Sequence, residues 1–258
     1  MKIMSPFHTS YARYNEKMSS NTLKIIAITA MLIDHIAWAF VPTLNPLGQL
    51  MHIIGRLTAP IMCFLIAEGY HHTRNAKKYA LRLGLFALIS HVPYIYFETG
   101  RLPIYYDNGL KIIPGTSVIY SLFLGLILLM VQNNRRIQDY VKNLLVILIL
   151  IASTPGDWSF FAVLWIWVFG TYRGDIKRQL LGFSLTAVLP FAFSFAFFSQ
   201  GIWWSQLFQL GVYLAIPLIY LYNGKLGYRK ERAWVKWIFY VFYPLHLLIL
   251  GLIKHIGR

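Results

Sequence analysis

An aspartate and a histidine, Asp34 and His35, stand side by side near the middle of an apolar run, residues 23–41 (LKIIAITAMLIDHIAWAFV). An acid placed in hydrocarbon costs ~2.5–3.5 kcal/mol or more, so such a pair must face protein or a watery cavity. An imidazole with an ordinary pKa near ~6.5 can take or give a proton at neutral pH. Asp34 could orient that ring or polarise its surroundings. Adjacent helical residues project about 100° apart, however, so the spacing does not dictate a direct Asp34–His35 bond.

Four more ionisable residues interrupt later apolar runs: Arg56 and Glu68 in residues 47–70, and Arg82 and His91 in residues 79–97. His246 does the same in residues 237–253. His35 lies about 12 residues, ~18 Å, from the start of its run. Arg56, His91 and His246 fall near that level, which points to a cavity lined from four helices. Glu68 and Arg82 flank a short hairpin and read as partners, whereas Glu68 and Arg56 are separated by ~18 Å along one helix. His91 stands about 180° around its helix from Arg82, so the two do not share one narrow pocket.

Each of these has a plainer reading. Asp34 and His35 can serve as a structural ion pair locking the first run to Arg56, and Arg82 can snorkel to an interface. His91 reads equally as a core histidine bonded to a neighbouring helix. His52 is expected to be solvated, and His71, His72 and His255 to lie on the surface. No histidine pair has ligand spacing beside a carboxylate, so no metal site is expected. The sequence contains no G-x-S-x-G, G-x-G-x-x-G or Walker A motif.

The elements that must position these side chains are helices. The chain has 258 residues, 57% hydrophobic and 13% charged, about half the usual charged fraction. Apolar runs approaching the roughly 20 residues of a bilayer crossing recur along the whole length. The fold expected is all-α: a polytopic membrane bundle of about nine transmembrane helices, ten being the alternative count. The predicted spans are residues 23–41, 47–70, 79–97, 116–132, 140–153 and 158–170, a seventh ending at 199, an eighth at 222, and 237–253. Asn21 or Thr22 is the expected cap of the first. Residues 98–115 form the one sizeable outer loop. A single domain over 1–258 is expected, with 1–22 as a cytoplasmic N-terminal segment and the first span as its own signal-anchor.

The net charge of +15 need not imply nucleic acid, because the basic residues collect in short loops. With the N-terminus in the cytoplasm, 17 Lys and Arg fall in inner segments and four in outer ones. That asymmetry is the positive-inside pattern. Cys63 is the only cysteine, so no intramolecular disulfide can form.

LKIIAITAMLIDHI, IGRLTAPIMCFLIAEGYHHTRN, KKYALRLGLFALISHVPY and FYVFYPLHLLIL together resemble the TraX family, whose namesake is known as a pilin acetylase. The resemblance spans the chain but is specific mainly in residues 23–96 and 239–250. It extends to the wider transmembrane acyltransferase group, where a first-span histidine is catalytic and a third-span arginine lies near the acyl-CoA. By motif, His35 matches the first and Arg82 the second. IMCFLIAEGY corresponds loosely to that group's second span and YPLHL to its last-span histidine motif. The chain departs in having about nine spans rather than ten and no added extracytoplasmic domain.

What the resemblance implies is a bacterial cytoplasmic-membrane enzyme. It would move an acetyl group from cytoplasmic acetyl-CoA, its co-substrate, to an amine or hydroxyl of a peptide or glycan acceptor outside the cytoplasm. Arg74, Lys77, Lys78 and Arg82, with Glu68 beside them, would border the donor's phosphates. His35 would be the base, or less readily a nucleophile, with Asp34 and Arg56 assisting. His91 and His246 remain cavity candidates. Membrane lipid is an expected partner and nucleic acid is not. The alternative is a small transporter with an Asp34–Glu68–histidine proton relay, although no internal repeat supports it. A non-catalytic assembly scaffold is a third reading.

Overall fold

The structure is a computed structural model and describes residues 18–198, 201–227 and 235–256. The remaining parts of the expected cytoplasmic N-terminal segment and of the basic 223–236 connection lie outside the described residues.

Helix α1 (Ser20–Phe40) is capped by Ser19 rather than by Asn21 or Thr22: the Ser19 hydroxyl accepts from the Thr22 backbone N–H at 3.2 Å. The free amides of its first residues are occupied by a neighbouring segment, with Ser20 N–H on the Lys225 carbonyl at 2.9 Å and Asn21 N–H on that of Leu226 at 3.2 Å. Asn45 caps α2 (Pro46–Gly55) through the Leu47 N–H at 2.8 Å.

The second apolar run is not one continuous helix. It breaks at Arg56 and Leu57 into α2 and α3 (Thr58–His72). Pro60 has no N–H to give the Arg56 carbonyl. The chain tightens there, and Leu57 N–H bonds the Ile54 carbonyl at 3.1 Å.

Asn75 caps α4 (Ala76–Thr99) on the Lys78 N–H at 2.9 Å, and Gly100, at φ 70°, closes it in the left-handed conformation. The chain continues through α5 (Val118–Gln132), α6 (Asp139–Ala152), α7 (Ser159–Thr171), α8 (Ile176–Thr186) and α9 (Val188–Phe198). A 3₁₀ helix (Leu207–Leu214) runs into α10 (Ala215–Tyr220), and α11 (Val235–His255) follows.

Among the described residues five helical stretches, not nine, have the length and hydropathy of a complete crossing. They are Ser20–Phe40, Pro46–His72, Ala76–Thr99, Ile176–Phe197 and Trp237–His255. The expected spans at α5, α6 and α7 are helices of 15, 14 and 13 residues. At 1.5 Å per residue they reach about 20–23 Å, short of a ~30 Å hydrocarbon core. The expected eighth span is likewise short, an apolar stretch over Leu207–Tyr220.

The expected outer loop contains a β-hairpin. Strands β1 (Ile104–Tyr106) and β2 (Leu110–Ile112) pair antiparallel around Asn108 and Gly109, both at positive φ.

Helix α3 is the central element and packs on α1, α5 and α7, while α11 packs on α4 and α1. Its buried face joins Phe64 to Phe169, whose ring centroids are 5.4 Å apart, within a core that includes Trp165 and Phe183. Leu81, Leu85 and Leu88 on α4 point outward and are exposed, as on a lipid-facing helix. The result is a predominantly helical membrane protein with a polar interior seam.

Candidate active site

That seam opens into a cavity of about 440 Å³ between α1, α3, α4, α5 and α11. It follows α1 from Ser20 to His35, roughly 22 Å at the helical rise. One end is basic and aromatic, with Lys24, His72, Tyr79, Arg82 and Tyr240 on its wall. The other carries Asp34, His35, Asp157, Trp158 and Tyr243.

At the basic end the expected Glu68–Arg82 pair does not form. Glu68 Oε1 instead accepts from Arg173 Nε at 3.0 Å, and its Oε2 lies 3.3 Å from His72 Nε2. Arg173 comes from the α7–α8 connection, which the hairpin argument did not include. Arg82 Nε donates to the Tyr240 hydroxyl at 3.1 Å, and its guanidinium lies over the Tyr79 and Tyr240 rings, 5.4 Å from each centroid. Arg82 makes no salt bridge among the described residues, so its charge is available to an anion. Lys24 sits with its ammonium 5.3 Å over the Phe239 ring. Arg74, Lys77 and Lys78 are exposed beyond this end and do not line the cavity. His72, expected at the surface, is exposed, but it also belongs to the cavity wall.

At the far end Asp34 is bound on both oxygens. Oδ2 accepts from Arg56 Nη2 at 2.6 Å, and Oδ1 from His52 Nδ1 at 2.8 Å. Gly55 allows this, because a Cβ there would collide with the Asp34 side chain. Arg56 is buried behind the aspartate, its Cζ 5.0 Å from the Trp158 ring and 5.4 Å from that of Phe208. It does not reach the cavity wall, so the structure does not place it beside His35 as an oxyanion donor. His52, expected to be solvated, is fully buried between Trp38 and Phe208. The Asp34–Arg56–His52 cluster locks α1 to α2.

His35 is bonded elsewhere. His246 Nδ1 lies 2.8 Å from the Phe242 carbonyl, which can only accept, so that nitrogen carries the proton. In the neutral ring Nε2 is then a lone pair, 3.1 Å from His35 Nδ1, which donates to it. The network therefore assigns the His35 tautomer: Nδ1 protonated and Nε2 basic, on a ring that lines the cavity. Phe97 and Tyr243 hold the ring edge-on at centroid distances of 5.3 and 6.4 Å. His91 is not in the cavity. Its Nδ1 pairs with Thr116 Oγ1 at 3.1 Å.

Asp157, which immediately precedes the expected span at 158–170, belongs to the site. It lines the cavity and is exposed to it. Partial loss of water around it, and next the Glu98 carboxylate, push its carboxyl up to about 7. Residues of this kind escape a search for charges inside apolar runs. Its sequence setting, between Gly156 and Trp158, is that of an ordinary turn.

Residues 19–254 match the family model described as TraX protein. The chain belongs to the TraX family. It is also 29% identical over 244 residues to a Dichelobacter nodosus protein described as "Probable fimbrial assembly protein FimC, serogroup H1", covering 92% of this chain and 96% of that one. No solved structure matches it. In this TraX chain the two residues singled out by motif, His35 and Arg82, stand towards opposite ends of one cavity. Among the described residues no group of three His, Cys, Asp or Glu side chains is arranged to hold a metal ion.

Proposed function

We propose that this TraX chain is an integral-membrane acyltransferase. It moves an acetyl group from cytoplasmic acetyl-CoA to an amine or hydroxyl of an envelope or secreted acceptor, such as a pilin N-terminus or a glycan. The observation that carries the reading is the Phe242–His246–His35 hydrogen-bond chain, which leaves Nε2 as the unprotonated nitrogen of a ring that lines a long cavity.

The basic end of the cavity suits a polyanionic donor. Arg82 and Lys24 offer charges for its phosphates, and the aromatic rings of Tyr79 and Tyr240 flank them. The extended arm of the donor would run along α1 and bring the thioester to His35. As the acceptor attacks, its proton passes to Nε2, the tetrahedral centre collapses, and the proton goes on to the leaving thiolate. The Nδ1–H of His35 remains bonded to His246 throughout, which stabilises the imidazolium while it exists. The charge distribution of the loops supports a cytoplasmic N-terminus in a bacterial cytoplasmic membrane. The pilus connection of the family and the fimbrial name of the relative support an acceptor of the envelope or its appendages.

The transporter alternative needs Asp34 free to gain and lose protons as a relay carboxylate. Asp34, the carboxylate beside His35, is instead held by Arg56 and His52.

The test is coenzyme A added to the purified protein. The enzyme reading expects a ligand-dependent rise in unfolding temperature; no shift at saturating coenzyme A would reject it. Arg82→Gln should weaken that binding, and raise KM for acetyl-CoA, by roughly ten- to a hundredfold. That is the ~1.5–3 kcal/mol of a charge-assisted hydrogen bond. Lys77→Gln and Lys78→Gln, outside the cavity, should change it little.

A further inference from the structure

Among the described residues lining the cavity, one carboxylate makes no salt bridge. Asp34 is closed off by two partners, and Glu68 by Arg173 and His72. Asp157 makes no salt bridge among the described residues and opens onto the same space as His35. It is held with care for a turn residue. Its backbone N–H donates to the Thr116 carbonyl at 2.9 Å, and Thr116 N–H donates in turn to Pro155. His91 fixes Thr116 from α4. On the other side, Arg56 stacks on the adjacent Trp158. The Tyr94 hydroxyl neighbours the carboxylate. Tyr243 lines the same cavity, its ring against His35.

We propose that Asp157 is a second catalytic group, the carboxylate that meets the acceptor. This rests on the acyltransferase reading above and concerns the amine acceptors within it. An amine reaches the site as an ammonium ion, which has no lone pair and cannot attack. Asp157 takes one proton, an N–H bond breaking as an O–H bond forms on the carboxylate, and the free amine results. The amine nitrogen then bonds to the acetyl carbon and the C–S bond breaks. His35 Nε2 takes the second proton and delivers it to the thiolate. The products are the amide, the thiol of coenzyme A, and one proton on Asp157 that is released to water. Two protons leave the nitrogen, and the cavity holds two bases to receive them.

The environment fits that task. The groups facing Asp157 are Glu98 and Tyr94 from α4, Asp34 from α1, Arg56 after α2, and Tyr243 from α11. Desolvation in the cavity and the two carboxylates outweigh Arg56, so the group exchanges a proton near neutral pH. His91, expected to line the cavity, acquires a role here as a positioning residue for the turn.

The experiment uses the purified full chain in lipid nanodiscs, radiolabelled acetyl-CoA, and a short peptide with a free α-amine as acceptor. Label incorporated into whole membranes from expressing cells is measured in parallel. Asp157→Asn should lower transfer to the peptide about 100-fold at pH 7. The defect should shrink as pH rises past the ~7.7–8.0 of an α-amine, where the acceptor deprotonates itself. Asp157→Glu should retain part of the activity, and coenzyme A should stabilise all three proteins equally. Full activity of Asp157→Asn, or a defect independent of pH in a protein that still binds coenzyme A, overturns the proposal and leaves the acyltransferase reading standing. Wild-type label confined to hydroxyl groups does the same. Absence of any transfer by the wild type, to peptide or membranes, removes that reading and this proposal with it.

Discussion

His35→Ala abolishes acetyl transfer, lowering the rate by about 10²–10⁴-fold or to background, while the protein stays folded and still responds to coenzyme A. The expectation follows from the position of the ring. Among the described residues the His35 side chain makes no ion pair, and it is hydrogen-bonded to His246. Truncation therefore removes a base without opening the α1–α2 contact that Asp34 secures. His246→Phe should give a smaller loss, because Nε2 of His35 survives but its tautomer and orientation are no longer fixed. Labelled acetyl-CoA and a thermal unfolding curve on the same preparation separate the two effects. Retained transfer in His35→Ala would reject the assignment of the base.

Asp34→Ala acts differently, on stability first. It strands a guanidinium and an imidazole, Arg56 and His52, that are almost wholly buried. Removing one partner of a buried pair costs about 3–5 kcal/mol, because the other is left without compensation. The variant should unfold at a markedly lower temperature and accumulate poorly in membranes. Restoring volume without charge, in Asp34→Leu with Arg56→Met, should recover much of the loss. The diagnostic contrast is between the two neighbours: His35→Ala inactive but stable, Asp34→Ala unstable. Asp34→Ala with unchanged stability and lost transfer would place the aspartate in the chemistry instead.

The helices that build the cavity were legible because their apolar runs are long and interrupted at few places. His35 announced itself by the cost of an imidazole in hydrocarbon. The partners of the buried charges were not legible. Glu68 and Arg82 sit at the two ends of a hairpin, and local proximity favoured that pair. Arg173, 105 residues from Glu68, reaches the carboxylate only through the packing of α7 on α3. His52 was assigned to solvent by its distance along the run, whereas the packing of α2 on α1 and the 3₁₀ helix encloses it.

Two signals were present and unused. Asn108-Gly109, between short β-prone segments, is a hairpin turn by composition alone. Pro60, four residues after Arg56, marks the break between α2 and α3. The count of about nine crossings is not confirmed, for a physical reason: apolar composition identifies a helix that avoids water, and among the described residues five stretches also have the length of a full crossing. Asp157 lay beyond either signal, since nothing local distinguishes a cavity-facing turn aspartate from a solvated one.

The central claim is that the cavity entered at Arg82 delivers the acyl carbon to His35. Bromoacetyl-coenzyme A tests it most directly, because a nucleophile beside the bound acyl carbon displaces bromide and keeps the mark. Peptide mapping of the treated protein should find the adduct on His35, with labelling suppressed by excess coenzyme A and reduced in Arg82→Gln. Adducts confined to Cys63 or to Lys77 and Lys78, with His35 unmodified, would contradict the account.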